Sequence, residues 1–524
     1  MTRLAGVMTD VLPSADDGQL FRRAKQLGFA GVEVILQRSR PERIESIRRA
    51  RAETGLAVPS LVLGEHSDLG GIADTDPAVA ASATGDVRCA IDLAVELGSD
   101  ALLVPFFGRA ELRDDAGIEQ AATAFQPLCA GAAERGVTLL FEGTLPAEPI
   151  RRLAARVDSP AFGCYFDYAN IVSRGMDTAT ELCALGDLVR RVHLKDIHAR
   201  VNDCPPGLGL VDFAESATAL DNIGYEGWIV LETPPGPPEL VARDLSFARN
   251  VVPRLEGGPL WPRIGIFARE VPDWDGVIET CHRLGLDAVQ LGGPLLEECF
   301  DRPERAAALE QAGIAIAAIA GYRNLVALDE AERRENLEFL ARCLELAPQI
   351  GTSVVATESG TRSREGGWIG SPDNRSPESL IVLDQSLGTL LETAERHGSI
   401  LALEGSVRHV LGTRSALQGV LDRLPSRHLQ VVLDPYNYLS RHLLPAQERV
   451  TRDFLDRFEH RFVLAHLKDV GPGGAEDPTP ELGTGIFAQR PYFEFLQQRR
   501  PDLPLILEHL PLEHVPRAKK LVHT

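Results

Sequence analysis

The chain carries two sets of four side chains whose types suit a divalent cation: Glu142, Asp167, His193 and Glu232, then Glu404, Asp434, His466 and Glu508. The types follow the same order in both sets, with gaps of 25, 26 and 39 residues in the first and 30, 32 and 42 in the second. Each sits at the end of a short apolar run, as in LLFE, CYFD, RRVHL and IVLE of the first set. Three carboxylates and an imidazole brought into one small volume cannot share it while ionised unless a cation neutralises them. Oxygen-rich ligation with one imidazole suits Mn²⁺, with Mg²⁺ or Co²⁺ as alternatives, better than a thiolate zinc site. Both histidines open the word His-Leu-Lys-Asp, written at His193 and again 273 residues later at His466. Lys195 and Lys468 follow the histidines by two positions and so point the same way along a strand, which makes them candidate contacts for a substrate oxyanion.

Such a set needs a scaffold that brings four chain segments to one place. In the first half, eight apolar runs (LAGVM, GVEVIL, AVPSLVL, ALLVPF, VTLLFE, AFGCYFD, RRVHL and GWIVLE) alternate with amphipathic stretches ended by glycine. The second half repeats the count with RIGIFA, DAVQL, AIAAIA, SVVAT, ILALE, LQVVLD, RFVLAHL and LPLILE. Eight strand–helix alternations over some 250 residues read as a parallel (β/α)₈ barrel, whose chemistry lies at the C-terminal strand ends. A doubly wound sheet is the alternative, but the first strand–helix turn lacks a G-x-G-x-x-G loop.

The halves are also alike in wording. QLGFAGVEVIL at Gln26 returns as RLGLDAVQLGG at Arg283, LLFEG as LALEG, GCYFDYAN as QVVLDPYN, and GLGLVDF as GTGIF. The expected architecture is therefore two tandem (β/α)₈ TIM barrels, residues 1–256 and 262–524, with the seam in LEGGPLWP from Leu255 to Pro262. A chain of 524 residues suits two cores rather than one.

Composition narrows the partners. A formal net charge of -21 argues against nucleic acid, which needs a basic footprint. The eight cysteines include no C-x-x-C pair and read as reduced thiols in cytoplasm. No apolar window is long enough for a membrane span and the N-terminus lacks a signal-peptide core, so a soluble protein is expected. Monomer and homodimer both remain open, since the duplication can substitute for a homodimer.

The Glu, Asp, His, Glu series, the HLKD word and the following G-x-G-h-h-D-F segment resemble the xylose-isomerase-like TIM barrels of the sugar phosphate isomerase/epimerase superfamily. The resemblance covers almost the whole chain, one copy per half. The group includes ketose 3-epimerases, hydroxypyruvate isomerases, inosose dehydratases and isomerases, dehydroshikimate dehydratases and endonuclease IV. It implies that the eight residues above bind one metal per barrel. Glu142 with Glu232, and Glu404 with Glu508, are then the acid and base that move a proton beside a carbonyl through an enediolate. Many epimerases of the group carry D-x-x-H at the sixth strand. Here the pattern is Asp167 to Asn170 and Asp434 to Asn437, and asparagine can hydrogen-bond a hydroxyl but cannot act as acid or base. Arg200 can supply the arginine such enzymes place after the strand-seven histidine; the second half offers none. His66, after strand three, is a further substrate contact, as is Glu33, which becomes Gln290 in the second half.

The function implied is a metal-dependent isomerase or epimerase of a small polyhydroxy carbonyl compound, a sugar or cyclitol. Two alternatives stand beside it: a lyase acting on a keto-sugar, keto-inositol or related acid, and a chain in which one barrel is catalytic and the other a binding or scaffolding module. A nuclease like endonuclease IV would need a histidine-rich site and a basic face, against 13 histidines and strong acidity here.

Overall fold

The computed structural model describes residues 2–37, 43–256, 263–268, 271, 273–365 and 368–522. The chain divides into two compact units, Met1–Pro259 and Leu260–Thr524. From residue 257 onward, the glycine- and proline-rich seam LEGGPLWP lies outside the described residues.

The first unit contains β1 (Arg3–Met8), β2 (Gly31–Leu36), β3 (Leu61–Leu63), β4 (Ala101–Phe106), β5 (Thr138–Gly143), β6 (Phe162–Asp167), β7 (Val189–Leu194) and β8 (Trp228–Leu231). Each pairs in parallel with the next, and β8 returns to β1 through Leu4↔Trp228, which closes the ring. A two-residue strand, β9 (Leu255–Glu256), adds to the other flank of β1. The second unit is a closed barrel of β10 (Ile264–Phe267), β11 (Ala288–Leu291), β12 (Ala315–Ala320), β13 (Val354–Glu358), β14 (Ile400–Glu404), β15 (Leu429–Leu433), β16 (Phe462–Leu467) and β17 (Leu505–Leu507). Two tandem (β/α)₈ TIM barrels are thus present, as the alternation of runs implies.

Local chemistry explains the repeated wording. The helix Asp17–Leu27 starts where Asp16 accepts the N–H of Gln19 and stops at Gly28, whose φ of 91° is the left-handed C-cap. Its counterpart Trp274–Leu284 starts on Asp273 and stops at Gly285, φ 61°. The shared Leu-Gly is thus a helix stop, and the next strand follows within a few residues. The third strand is shorter than the run AVPSLVL, beginning only at Leu61; Pro59 has no N–H to give a ladder. Among the described residues no helix is long and apolar enough to cross a membrane.

Candidate metal centre

Four strand ends of the first barrel meet around His193, whose side chain is fully buried. Its Nδ1 lies 2.9 Å from Glu232, 3.2 Å from Glu142 and 3.8 Å from Asp167. The register pairs Asp167 with His193 across β6 and β7, so their side chains leave the sheet on one face side by side. One ligand atom from each of Glu142, Asp167, His193 and Glu232 lies within 4.8 Å of every other. Asp167 also caps the helix Tyr168–Val172, accepting the N–H of Asn170 at 2.8 Å. That turn aims the Asn170 amide back at Glu142, 3.2 Å away. Lys195, the residue after β7, sets its ammonium 2.9 Å from Asp167 and 2.8 Å from Glu232.

The second barrel repeats this arrangement loosely. His466 Nδ1 stands 3.3 Å from Glu404, 3.5 Å from Glu508 and 3.7 Å from Asp434. Here the group within 4.8 Å comprises Glu404, Asp434 and His466; Glu508 stands outside it. Lys468 lies 2.6 Å from Asp434 and 3.2 Å from Glu508, and the Asn437 amide donates to Glu404 at 2.6 Å. The site opens into a cavity of about 380 Å³ lined by Tyr322, Glu404, Arg408, Asn437, Lys468 and Glu508, among others.

Electrostatics follow from crowding without water. Burial opposes a charge on His193, but Glu33, Glu232 and Glu142 outweigh it and raise the imidazole well above its ordinary range. Burial likewise opposes charge on His466, yet Glu508, Asp434 and Glu404 carry it up to about 10. Glu232 is held well below the carboxylate range, because Lys195 and His193 overcome its burial. Asp167, where burial wins over Lys195, rises to about 7.

The donor set fits a divalent cation on an observation independent of the carboxylate count. Buried His466 Nδ1 in the second barrel makes no hydrogen bond, although Glu404, Glu508 and Asp434 stand around it. Native interiors rarely leave such an atom unsatisfied. Glu142, Asp167, His193 and Glu232 are the residues that would hold the ion in barrel one, and Glu404, Asp434 and His466, with Glu508 beside them, in barrel two.

Other expected contacts lie elsewhere. Glu33 is fully buried. It sits behind the histidine, its Oε2 2.8 Å from His193 Nε2, and its other oxygen takes the hydroxyls of Tyr165 and Ser60. Its contact with Nε2 of His193, whose Nδ1 meets the rim acids, places it inside the barrel beneath them. Gln290 occupies the same place beneath His466, with Oε1 3.0 Å from Nε2. His66 folds into the short helix His66–Leu69, edge-on to Phe106, with Nε2 accepting the N–H of Ile72. Arg200 stands exposed in the loop after β7.

Three groups escaped the sequence. Tyr322 donates its hydroxyl to Glu404 at 3.0 Å and accepts the Gln290 amide at 3.2 Å. Glu358 stands directly beside Glu404 in the register, where β4 offers Pro105 beside Glu142. Burial and then Glu404 push its carboxyl up to about 8, with Arg323 opposing. The fourth letter of HLKD, Asp196 or Asp469, turns away from the site to bind backbone N–H groups; its recurrence before both G-x-G segments was the available signal.

Residues 21–251 and 278–521 each match the xylose isomerase-like TIM barrel family. The chain belongs to that family. This xylose isomerase-like TIM barrel protein is 32% identical over 174 residues to the 2-epi-5-epi-valiolone 7-phosphate 2-epimerase of Actinoplanes sp., covering 33% of this chain and 62% of the relative. It is 30% identical over 129 residues to the inosose dehydratase of Geobacillus thermodenitrificans, 20% of this chain and 43% of the relative. The chain thus spans less than two thirds of the length of these curated relatives. Among solved structures it is similar to 3-keto-D-glucoside 4-epimerase from E. coli, at 21% identity and a TM-score of 0.42, over 47% of this chain and 99% of that one. Similarity to D-allulose 3-epimerase from Methylomonas sp. is 21% identity with a TM-score of 0.38, over 44% and 85%.

Proposed function

We propose that this protein is a divalent-metal-dependent isomerase or epimerase of a small sugar or cyclitol carbonyl compound, with one site in each of domains 1–256 and 262–524. The observation that carries the reading is the convergence of Glu142, Asp167 and Glu232 on Nδ1 of His193, repeated by Glu404, Asp434 and Glu508 around His466. Family membership and relatives named as an epimerase and a dehydratase support it.

A cation held there, Mn²⁺ by preference, supplies Lewis acidity that makes the proton beside a carbonyl easier to remove. Glu142 and Glu232 come from separate strands of one rim, and in this reading one takes that proton and the other returns a proton to the enediolate. Glu232 is held ionised by Lys195 and His193. Lys195 and Lys468 hold the developing oxyanion, and Asn170 and Asn437 orient a hydroxyl. Return of the proton to the opposite face gives epimerisation, and return to the neighbouring carbon gives isomerisation. The protein works in the cytoplasm as a monomer or homodimer.

A lyase reading uses the same proton abstraction followed by loss of a β-hydroxyl, and the inosose dehydratase relative favours keeping it. Proton NMR of Mn²⁺-loaded protein with keto-sugars and keto-cyclitols in heavy water tests the choice. Solvent deuterium in recovered substrate without an enone supports the isomerase; accumulation of an enone establishes the lyase.

A further inference from the structure

We propose that the two barrels hold a divalent cation with unequal strength, and that Glu33 against Gln290 sets the difference. The inference rests on the metal reading above and adds to it which site fills first.

In both barrels Nδ1 of the histidine faces the rim carboxylates, so Nε2 points down into the barrel. The group that receives Nε2–H fixes the tautomer that leaves Nδ1 as a donor, and the stronger an acceptor it is, the more electron density the ring offers its ligand. In barrel one that acceptor is the Glu33 carboxylate at 2.8 Å. It is locked from the other side by the hydroxyls of Tyr165, at 2.8 Å, and Ser60, and the Tyr165 ring packs on the imidazole with centroids 4.0 Å apart. In barrel two the acceptor is the neutral Gln290 amide at 3.0 Å, itself tied to Tyr322. Val432, two residues before the rim aspartate, takes the place of Tyr165. A charged acceptor makes a hydrogen bond roughly twice as strong as a neutral one, and outer-shell partners of ligating histidines change metal affinity by about 10–100-fold. Looser geometry points the same way: all three acids and the histidine of barrel one gather within 4.8 Å, while Glu508 stays outside the barrel-two group. Glu358 adds a carboxyl to barrel two, but beside Glu404 rather than behind the imidazole, so it does not act on the strength of the nitrogen donor.

The test is a calorimetric titration of Mn²⁺ alone into the metal-free full-length chain at one fixed pH. Two classes of site are expected, about 10–100-fold apart. His466→Ala should leave the tight class and His193→Ala the weak one. Glu33→Gln should bring the tight class down toward the weak, and Gln290→Glu should raise the weak class. The reciprocal gain separates an effect on the donor from damage to packing, which only lowers affinity. One class of two equal sites, or a tight class that survives Glu33→Gln, overturns the inference while leaving the metal reading intact. Failure of the parent chain to bind any Mn²⁺ overturns both.

Discussion

Oδ2 of Asp196 accepts the N–H of Gly209 at 2.9 Å, closing the loop that follows the site lysine. The same carboxylate takes Gly207 at 2.9 Å and Val211 at 3.1 Å. Asp469 does likewise for Gly483, Gly485 and Phe487, each at 3.0 Å. A Cβ at Gly209 would collide with the Asp196 carboxylate, and one at Gly485 with that of Asp469. HLKD and G-x-G are therefore one device: the first two polar letters face the candidate metal site and the last folds the loop that frames it.

Asp196→Ala should strand the N–H groups of Ile197, Gly207, Gly209 and Val211 at once. The expected cost is about 3 kcal/mol, read by denaturant unfolding. Gly209→Ala should cost a similar amount because its methyl displaces the carboxylate. A change under about 0.5 kcal/mol for both, the range of ordinary surface substitutions, would remove the clamp from the account.

Lys195→Met should destabilise the metal-free protein by about 3 kcal/mol, since Asp167 and Glu232 lose the ammonium that neutralises them. Added Mn²⁺ supplies charge to the same oxygens and should narrow the gap, with saturating ion at about 100 times its Kd contributing about 2.7 kcal/mol. Thermal melts of parent and variant, with chelator and with Mn²⁺, check this. A gap unchanged by the ion contradicts it.

Glu358 sets a pH dependence. Its carboxyl is raised from the ordinary glutamate value to about 8, so the folded state favours the protonated form. Its contribution is fully present below the unfolded glutamate value and is lost as pH rises toward 8. Chelated Glu358→Gln should match the parent in stability near the ordinary glutamate value and exceed it by a few kcal/mol above about pH 8. Denaturation series across that window measure the difference; curves that stay parallel contradict it.

Metal analysis of the purified, Mn²⁺-loaded chain should find two ions, and a chain carrying both Glu404→Gln and His466→Ala about half as many. Chelation should abolish deuterium exchange into substrate. Exchange that survives exhaustive chelation would sink the proposed chemistry.

The duplicated order of Glu, Asp, His and Glu, and eight apolar runs per half, were enough to specify two closed barrels and to name the eight rim residues. The reason is geometric: once strands and helices alternate in a ring, every strand's C-terminal end lies on one rim, so residue type at a strand end already implies position. Glycine stops such as Gly28 and Gly285 were legible for a similarly local reason. What faces what across the ring was not local. The descent of Glu33 beneath His193, the pairing of Glu358 with Glu404, the reach of Tyr322 to that same glutamate and the return of Gly209 to Asp196 depend on strand register and loop closure. Those relations join residues 13 to 160 positions apart, and only the folded barrel measures the distance between them.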